Sequence, residues 1–340
     1  MKILIINGTV VNATDIIRAD VLIENGIVIA VGTGLERQNT QIIEAAGKYL
    51  FPGVIDPHTH LDMPFGDATT CDDFYSGTKA AVMGGVTTIV DFAMQRKGQT
   101  LRQAIDNWHK RADGKCFSDY SFHVAITDCN DAVIAELKTL IEQTGVSTVK
   151  MFLAYKGLFQ IDDGAMLKVF RAARDSGILV GLHCENGDII EVLTTEAINA
   201  GQTAPIYHAL TRPDYIEAEA ITRAATIAAA VGVPLYIVHL SSAKGLAAAL
   251  AARQRGQTVY IETCPHYLLL DDSRYHEPEY GGAKYVMSPP LRKAEDNRIL
   301  WQALHDDLVN VVATDHCAFN FADQKQAGRH DLSSRRLPIN

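Results

Sequence analysis

Eight short apolar runs of β type, separated by segments of helical periodicity in units of roughly thirty residues, constrain this chain more than any other feature. They fall at residues 54–60, 87–91, 120–125, 148–153, 179–183, 235–239, 259–264 and 309–315. Apolar strands alternating with amphipathic helices are the signature of parallel βα units, and eight such units close naturally into a (β/α)8 TIM-like barrel. In such a barrel the active site lies where the strands end, at their C-terminal face. The helical segments between the strands, such as the Ala-rich Glu217 to Val231, carry no chemistry, and their charges are expected on a solvated face. Residues 1–52 read differently: short β runs at 2–6, 20–24 and 27–31, with Asn25-Gly26 between the last two as a type I′ hairpin signal, suggest an incomplete N-terminal β-sandwich segment. The expected organisation is therefore a sandwich segment over 1–52, a barrel over 53–317 and a tail over 318–340.

The last residues of these runs carry reactive side chains. The first run ends in His58 and His60, and residues i and i+2 of an extended chain point to the same side, so both imidazoles aim at one spot. The fourth carries Lys150, the fifth ends in His183, the sixth in His239 and the eighth in Asp315. Four histidines, a lysine and an aspartate at equivalent positions of successive repeats are hard to obtain from packing needs alone. Nitrogen and oxygen ligands of this kind suit zinc or a similar divalent ion. An ammonium cannot ligate a cation, but a Lys150 amine that has reacted with carbon dioxide becomes an anionic carbamate able to bridge two of them. A two-metal centre lowers the pKa of bound water to roughly 7 and polarises a carbonyl oxygen. Asp315 is then placed to take the water proton and pass it to a leaving nitrogen, which is hydrolysis of an amide-type bond.

The totals exclude other classes. A net charge of −9 without a long basic cluster argues against nucleic acid as a partner, and leaves a small neutral or anionic metabolite. The start, Met1 to Gly8, is too short an apolar run for a secretory signal, and no stretch reaches the length of a membrane span. Six cysteines without a Cys-x-x-Cys pair suit reduced thiols, so the expected setting is the cytoplasm.

Seven motifs carry a resemblance: Gly53-Val54-Ile55-Asp56-Pro57-His58-Thr59-His60, Val149-Lys150-Met151-Phe152-Leu153-Ala154-Tyr155, His183-Cys184-Glu185-Asn186, Tyr236-Ile237-Val238-His239-Leu240-Ser241, Glu262-Thr263-Cys264-Pro265-His266-Tyr267-Leu268, Ser288-Pro289-Pro290-Leu291-Arg292 and Ala313-Thr314-Asp315-His316-Cys317. In this order they resemble the dihydropyrimidinase and hydantoinase family of cyclic amidohydrolases. The resemblance implies that His58 and His60 bind one metal, that His183 and His239 bind the other, and that carbamylated Lys150 bridges both. Asp315 would bind the first metal and serve as acid and base. It further implies that Tyr155 hydrogen-bonds the oxyanion and that Ser288 holds the ring amide through its backbone. Met63, Phe65, Phe152 and Phe159 would shape the pocket around the ring substituent. The implied cofactors are two divalent ions, zinc or manganese, and the implied assembly is a homotetramer. His123, His266 and His316 are left as structural. The implied reaction opens a hydantoin or 5,6-dihydropyrimidine to the N-carbamoyl amino acid; the alternatives are an allantoinase-like ureide hydrolase, an impaired family member, or a non-catalytic relative, which the intact set of six ligands argues against.

The pattern departs from the family after Asp331. Residues 332–340 replace an expected Ile-Pro-Asn-Gly turn whose asparagine contacts substrate, as a frame-shift or truncation would. Uncovered apolar faces and poor solubility or altered assembly are expected to follow.

Overall fold

The computed structural model describes residues 1–326, and the expectations for residues 332–340 lie outside the described residues. By internal contacts the chain divides into Met1–Ile55 with Gly85–Thr87, and Asp56–Gly84 with the remainder from Thr88.

The first unit is a five-stranded sheet. β1 (Lys2–Val11) pairs antiparallel with β2 (Ile16–Glu24), which pairs antiparallel with β3 (Ile27–Gly32); on its other side β1 runs parallel to β4 (Gln41–Glu44) and β5 (Tyr49–Leu50). Asn25 and Gly26 both have positive φ, 52° and 84°, as a type I′ turn requires. The period of two sends Leu4, Ile6 and Val10 of β1 inward together with Ala19 and Val21 of β2.

The second unit carries the barrel, except for residues 54–55 and 86–87, the starts of two of its strands, which count with the first unit. Its strands are β6 (Val54–Thr59), β9 (Val86–Met94), β10 (Asp119–Ala125), β11 (Thr148–Phe152), β12 (Leu179–His183), β13 (Leu235–Ile237), β14 (Val259–Thr263) and β15 (Val311–Val312), all parallel and each beside the next, with a small hairpin of β7 (Pro64–Phe65) and β8 (Ala68–Thr69) after β6. A parallel bridge from Thr59 to His316, with the His60 N–H donating to the His316 carbonyl at 2.8 Å, closes the last strand onto the first. Helices fill the connections, and their starts are fixed locally: Asp73, Thr100, Asn130, Asp162, Asn186 and Ser242 each accept a hydrogen bond from a first-turn backbone N–H.

Two readings change. β13 and β15 are shorter than the apolar runs that announce them, because the backbone turns into the left-handed region at His239 (φ 40°) and Asp315 (φ 49°), so these residues leave the ladder. The charges of the Ala-rich helix Asp214–Val231 were expected on a solvated face, yet Glu217 is 2% exposed. Its carboxylate accepts from the Ser241 N–H (2.8 Å), the Ser241 hydroxyl (2.9 Å) and the Ser242 hydroxyl, and it lies so close to Gly245 that a Cβ there would stand 2.9 Å from Oε2.

Candidate metal centre

The βα architecture delivers every expected ligand to one end of the barrel. His58 and His60 stand at the end of β6, Lys150 on β11, His183 at the end of β12, and His239 and Asp315 just beyond β13 and β15. All six are buried, none more than 7% exposed. The Nε2 atoms of His58 and His60 lie 3.1 and 3.2 Å from the same oxygen, Asp315 Oδ1. Lys150 Nζ lies 2.9 Å from His58 Nε2, and His183 Nδ1 lies 3.0 Å from His239 Nε2.

The hydrogen bonds around the ligand rings leave room for cations. A neutral imidazole has one N–H. That of His58 is committed through Nδ1 to Glu262 Oε1 at 2.6 Å, so in the neutral ring its Nε2 lone pair faces Asp315 Oδ1 at 3.1 Å, with the Lys150 amine 2.9 Å away. That of His183 is committed through Nε2 to Glu185 Oε2 at 3.0 Å, so its Nδ1 turns a lone pair toward His239. Converging lone pairs in a buried site are what a cation relieves, and His58, His60 and Asp315 bring one ligand atom each within 4.8 Å of one another.

The electrostatics agree. Burial and Lys150 press His58 toward its neutral form, but Asp315 and Glu262 outweigh them and raise its pKa, so positive charge is favoured at that spot. Burial would raise Asp315, yet His58 and His60 beside it hold its carboxyl well below the usual range. Burial lowers His60 to about 4 and depresses His183 and His239. It also lowers Lys150, against the pull of Asp315 and Glu262, and so favours the neutral, nucleophilic amine.

With this geometry in hand, the sequence profile of the Amidohydrolase family matches residues 49–334. The chain belongs to the amidohydrolase family. It is 48% identical over 333 residues to the D-hydantoinase of Geobacillus stearothermophilus, covering 98% of this chain and 71% of that one. It is 45% identical over 336 residues to the D-hydantoinase of Streptomyces coelicolor, covering 97% and 71%. The crystal structure of dihydropyrimidinase from Brevibacillus agri superposes with a TM-score of 0.97 at 46% identity, over 100% of this chain and 74% of that one.

The pocket residues named from the sequence also meet in this amidohydrolase. Met63, Phe65, Phe152, Tyr155, Phe159 and Ser288 line one cleft with His60, Lys150, His183, His239 and Asp315; Met94 and Cys317 join them without having been singled out. The β7–β8 hairpin presents Phe65, whose ring lies 6.2 Å from that of Tyr155 and 5.8 Å from that of Phe159. Tyr155 packs 5.0 Å from the His183 ring and is held at φ 67°. Left-handed backbone at Tyr155, His239 and Asp315, three bulky or charged residues on one rim, costs about 1–3 kcal/mol each and concentrates at sites where geometry is over-determined. His123 is engaged away from the cleft, with Nε2 2.9 Å from the Pro57 carbonyl.

Reasoning from the sequence missed the carboxylates behind the ligands. Glu262 and Glu185 back His58 and His183. Asp91 accepts from the Thr59 hydroxyl and the Leu61 N–H, both at 2.8 Å, and so flanks His60, while Asp56 accepts from Thr314 beside Asp315. Glu262, Glu185 and Asp56 stand inside the motifs above and Asp91 ends the second apolar run, so an acidic residue in or beside an apolar strand was the available signal.

Proposed function

We propose that this chain is a metal-dependent cyclic amidohydrolase that opens hydantoin or 5,6-dihydropyrimidine rings to N-carbamoyl amino acids. The convergence of His58, His60, Lys150, His183, His239 and Asp315 on one buried rim carries the reading, and the D-hydantoinase relatives supply the substrate class. His58, His60 and Asp315 would hold one divalent ion and His183 and His239 a second, with Lys150 as a carbamate supplying a further anionic ligand. Zinc suits the nitrogen and oxygen donors, with manganese as a second choice. When bound, such a pair of ions lowers the pKa of water to roughly 7 and withdraws charge from a carbonyl oxygen.

The protein's own groups do the rest. Asp315 takes the proton of the attacking water on a carboxylate oxygen and returns it to the ring nitrogen as the C–N bond breaks, so the ring gains one water and ends as a carboxylate and a ureido arm. The Tyr155 hydroxyl, whose pKa burial and Glu185 raise well above normal, stays protonated and donates to the oxyanion. The Ser288 backbone orients the ring amide. Met63, Phe65, Phe152 and Phe159 exclude water and sort ring substituents. Among the described residues no helix is long and apolar enough to cross a membrane. The six free cysteines favour the cytoplasm as the setting, and the family resemblance favours a homotetramer.

Turnover of dihydrouracil, hydantoin, 5-substituted hydantoins and allantoin, with and without added zinc or manganese and bicarbonate, tests this. Metal-dependent opening of hydantoins or dihydrouracil is expected. Turnover of allantoin alone, or activity indifferent to metal and chelator, would overturn it. Light scattering checks the tetramer.

A further inference from the structure

Glu262 on β14 is fully buried and touches both halves of the centre. Its Oε1 lies 2.6 Å from His58 Nδ1 and also accepts the backbone N–H of His239 at 3.0 Å. Its Oε2 accepts from the Tyr236 hydroxyl, and its main-chain carbonyl accepts the Leu240 N–H at 2.7 Å. One residue thus fixes which nitrogen of His58 carries the proton and also grips the two successive amides of the turn that holds His239 at φ 40°. Glu185, the carboxylate behind His183, bonds the ring of that ligand at 3.0 Å. Burying a carboxylate is costly, and packing alone is served as well by an apolar side chain. The arrangement has a use if the donors it collects must be held in register.

We propose that Glu262 is a positioning residue for both halves of the metal centre: it sets the tautomer of His58 and the backbone turn of His239, so that its loss loosens one ligand in each half together. The inference rests on the two-ion reading above. It differs from the usual pairing of one carboxylate with one ligand histidine in that a single group spans two halves.

The test uses the full chain as wild type, Glu262→Gln and Tyr236→Phe, stripped of metal and reloaded with zinc in bicarbonate. Metal content is read by plasma emission, affinity by chelator competition and folding by circular dichroism. Glu262→Gln should lose about 10- to 100-fold in affinity for both ions in parallel. Tyr236→Phe, which leaves the His58 and His239 bonds in place, should stay near wild type. A folded Glu262→Gln protein that keeps both ions at wild-type affinity, or loses only one, overturns the proposal while leaving the two-ion reading intact. A wild type that takes up no ion overturns the reading and the proposal with it. Nitrogen-15 NMR of the metal-free wild type gives a check independent of any variant: His58 protonated at Nδ1 is expected, and a ring protonated at Nε2 alone overturns the proposal.

Discussion

The two halves of the centre are built from different materials. His58 and His60 share an anionic oxygen, Asp315 Oδ1, at 3.1 and 3.2 Å, so a cation there meets negative charge directly. His183 and His239 face each other at 3.0 Å with neutral rings, and the carboxylate bonded to this pair's rings, Glu185, sits on the far side of His183. In a low-dielectric site a contact charge outweighs one a ring away. On the proposed two-ion reading the first half would be self-sufficient, whereas the second would need an anion from elsewhere, which a carbamate on Lys150, whose amine lies 2.9 Å from His58 Nε2, would supply.

Replacing Lys150 by Ala presses hardest on that contrast. Ring opening should fall to background and the ion at His183 and His239 should be lost, while the other half keeps its ion; acetate or propionate should restore part of the activity. Equal loss of both ions would erase the distinction between the halves. Next in size, Asp315→Asn should lower turnover on the order of 10²–10⁴-fold through the lost proton transfer, and should weaken the first half more than the second by chelator competition. Glu185→Gln should cost about 10-fold in metal affinity, confined to the second half. A comparable loss in the first half would mean that Glu185 serves both.

The smallest effect concerns the layer around the ligands in the metal-free protein. Burial holds His123 and His266 at about 4, against an ordinary 6.5. The unfolded chain takes up these protons below 6.5 and the folded chain refuses them until about 4, so stability is full above 6.5 and drains away as pH falls through that window. Asp91 works the other way: burial raises it to about 6, so the folded state binds its proton before the unfolded one does, and this offsets part of the loss. Denaturation midpoints should fall between pH 6.5 and 4, and a flat profile across that range would show the balance struck differently.

Most of the rim was legible because strand and ligand were written together. An apolar run ending in histidine gives both a period and an address, and His58, His60, His183 and His239 lie where that grammar puts them. The supporting carboxylates were harder, since charge on a helix is ordinarily a solvated feature. Glu217, read that way, is buried because two serines at the start of the next helix point hydroxyls at it and Gly245 leaves it room. The left-handed turns at Tyr155, His239 and Asp315 left no trace in composition, because no glycine or asparagine marks them; long-range contacts hold them.

The bridge between Thr59 and His316 gives the two halves different histories. His183 and His239 are 56 residues apart in the chain, whereas Asp56 and Thr314, which flank the other cluster, meet across 258. On a ribosome the imidazole pair can assemble while the protein is still emerging, but the carboxylate-bearing cluster must wait until nearly the whole cylinder has been synthesised and its seam has zipped. Uptake of the ion at that seam would then report that closure is complete.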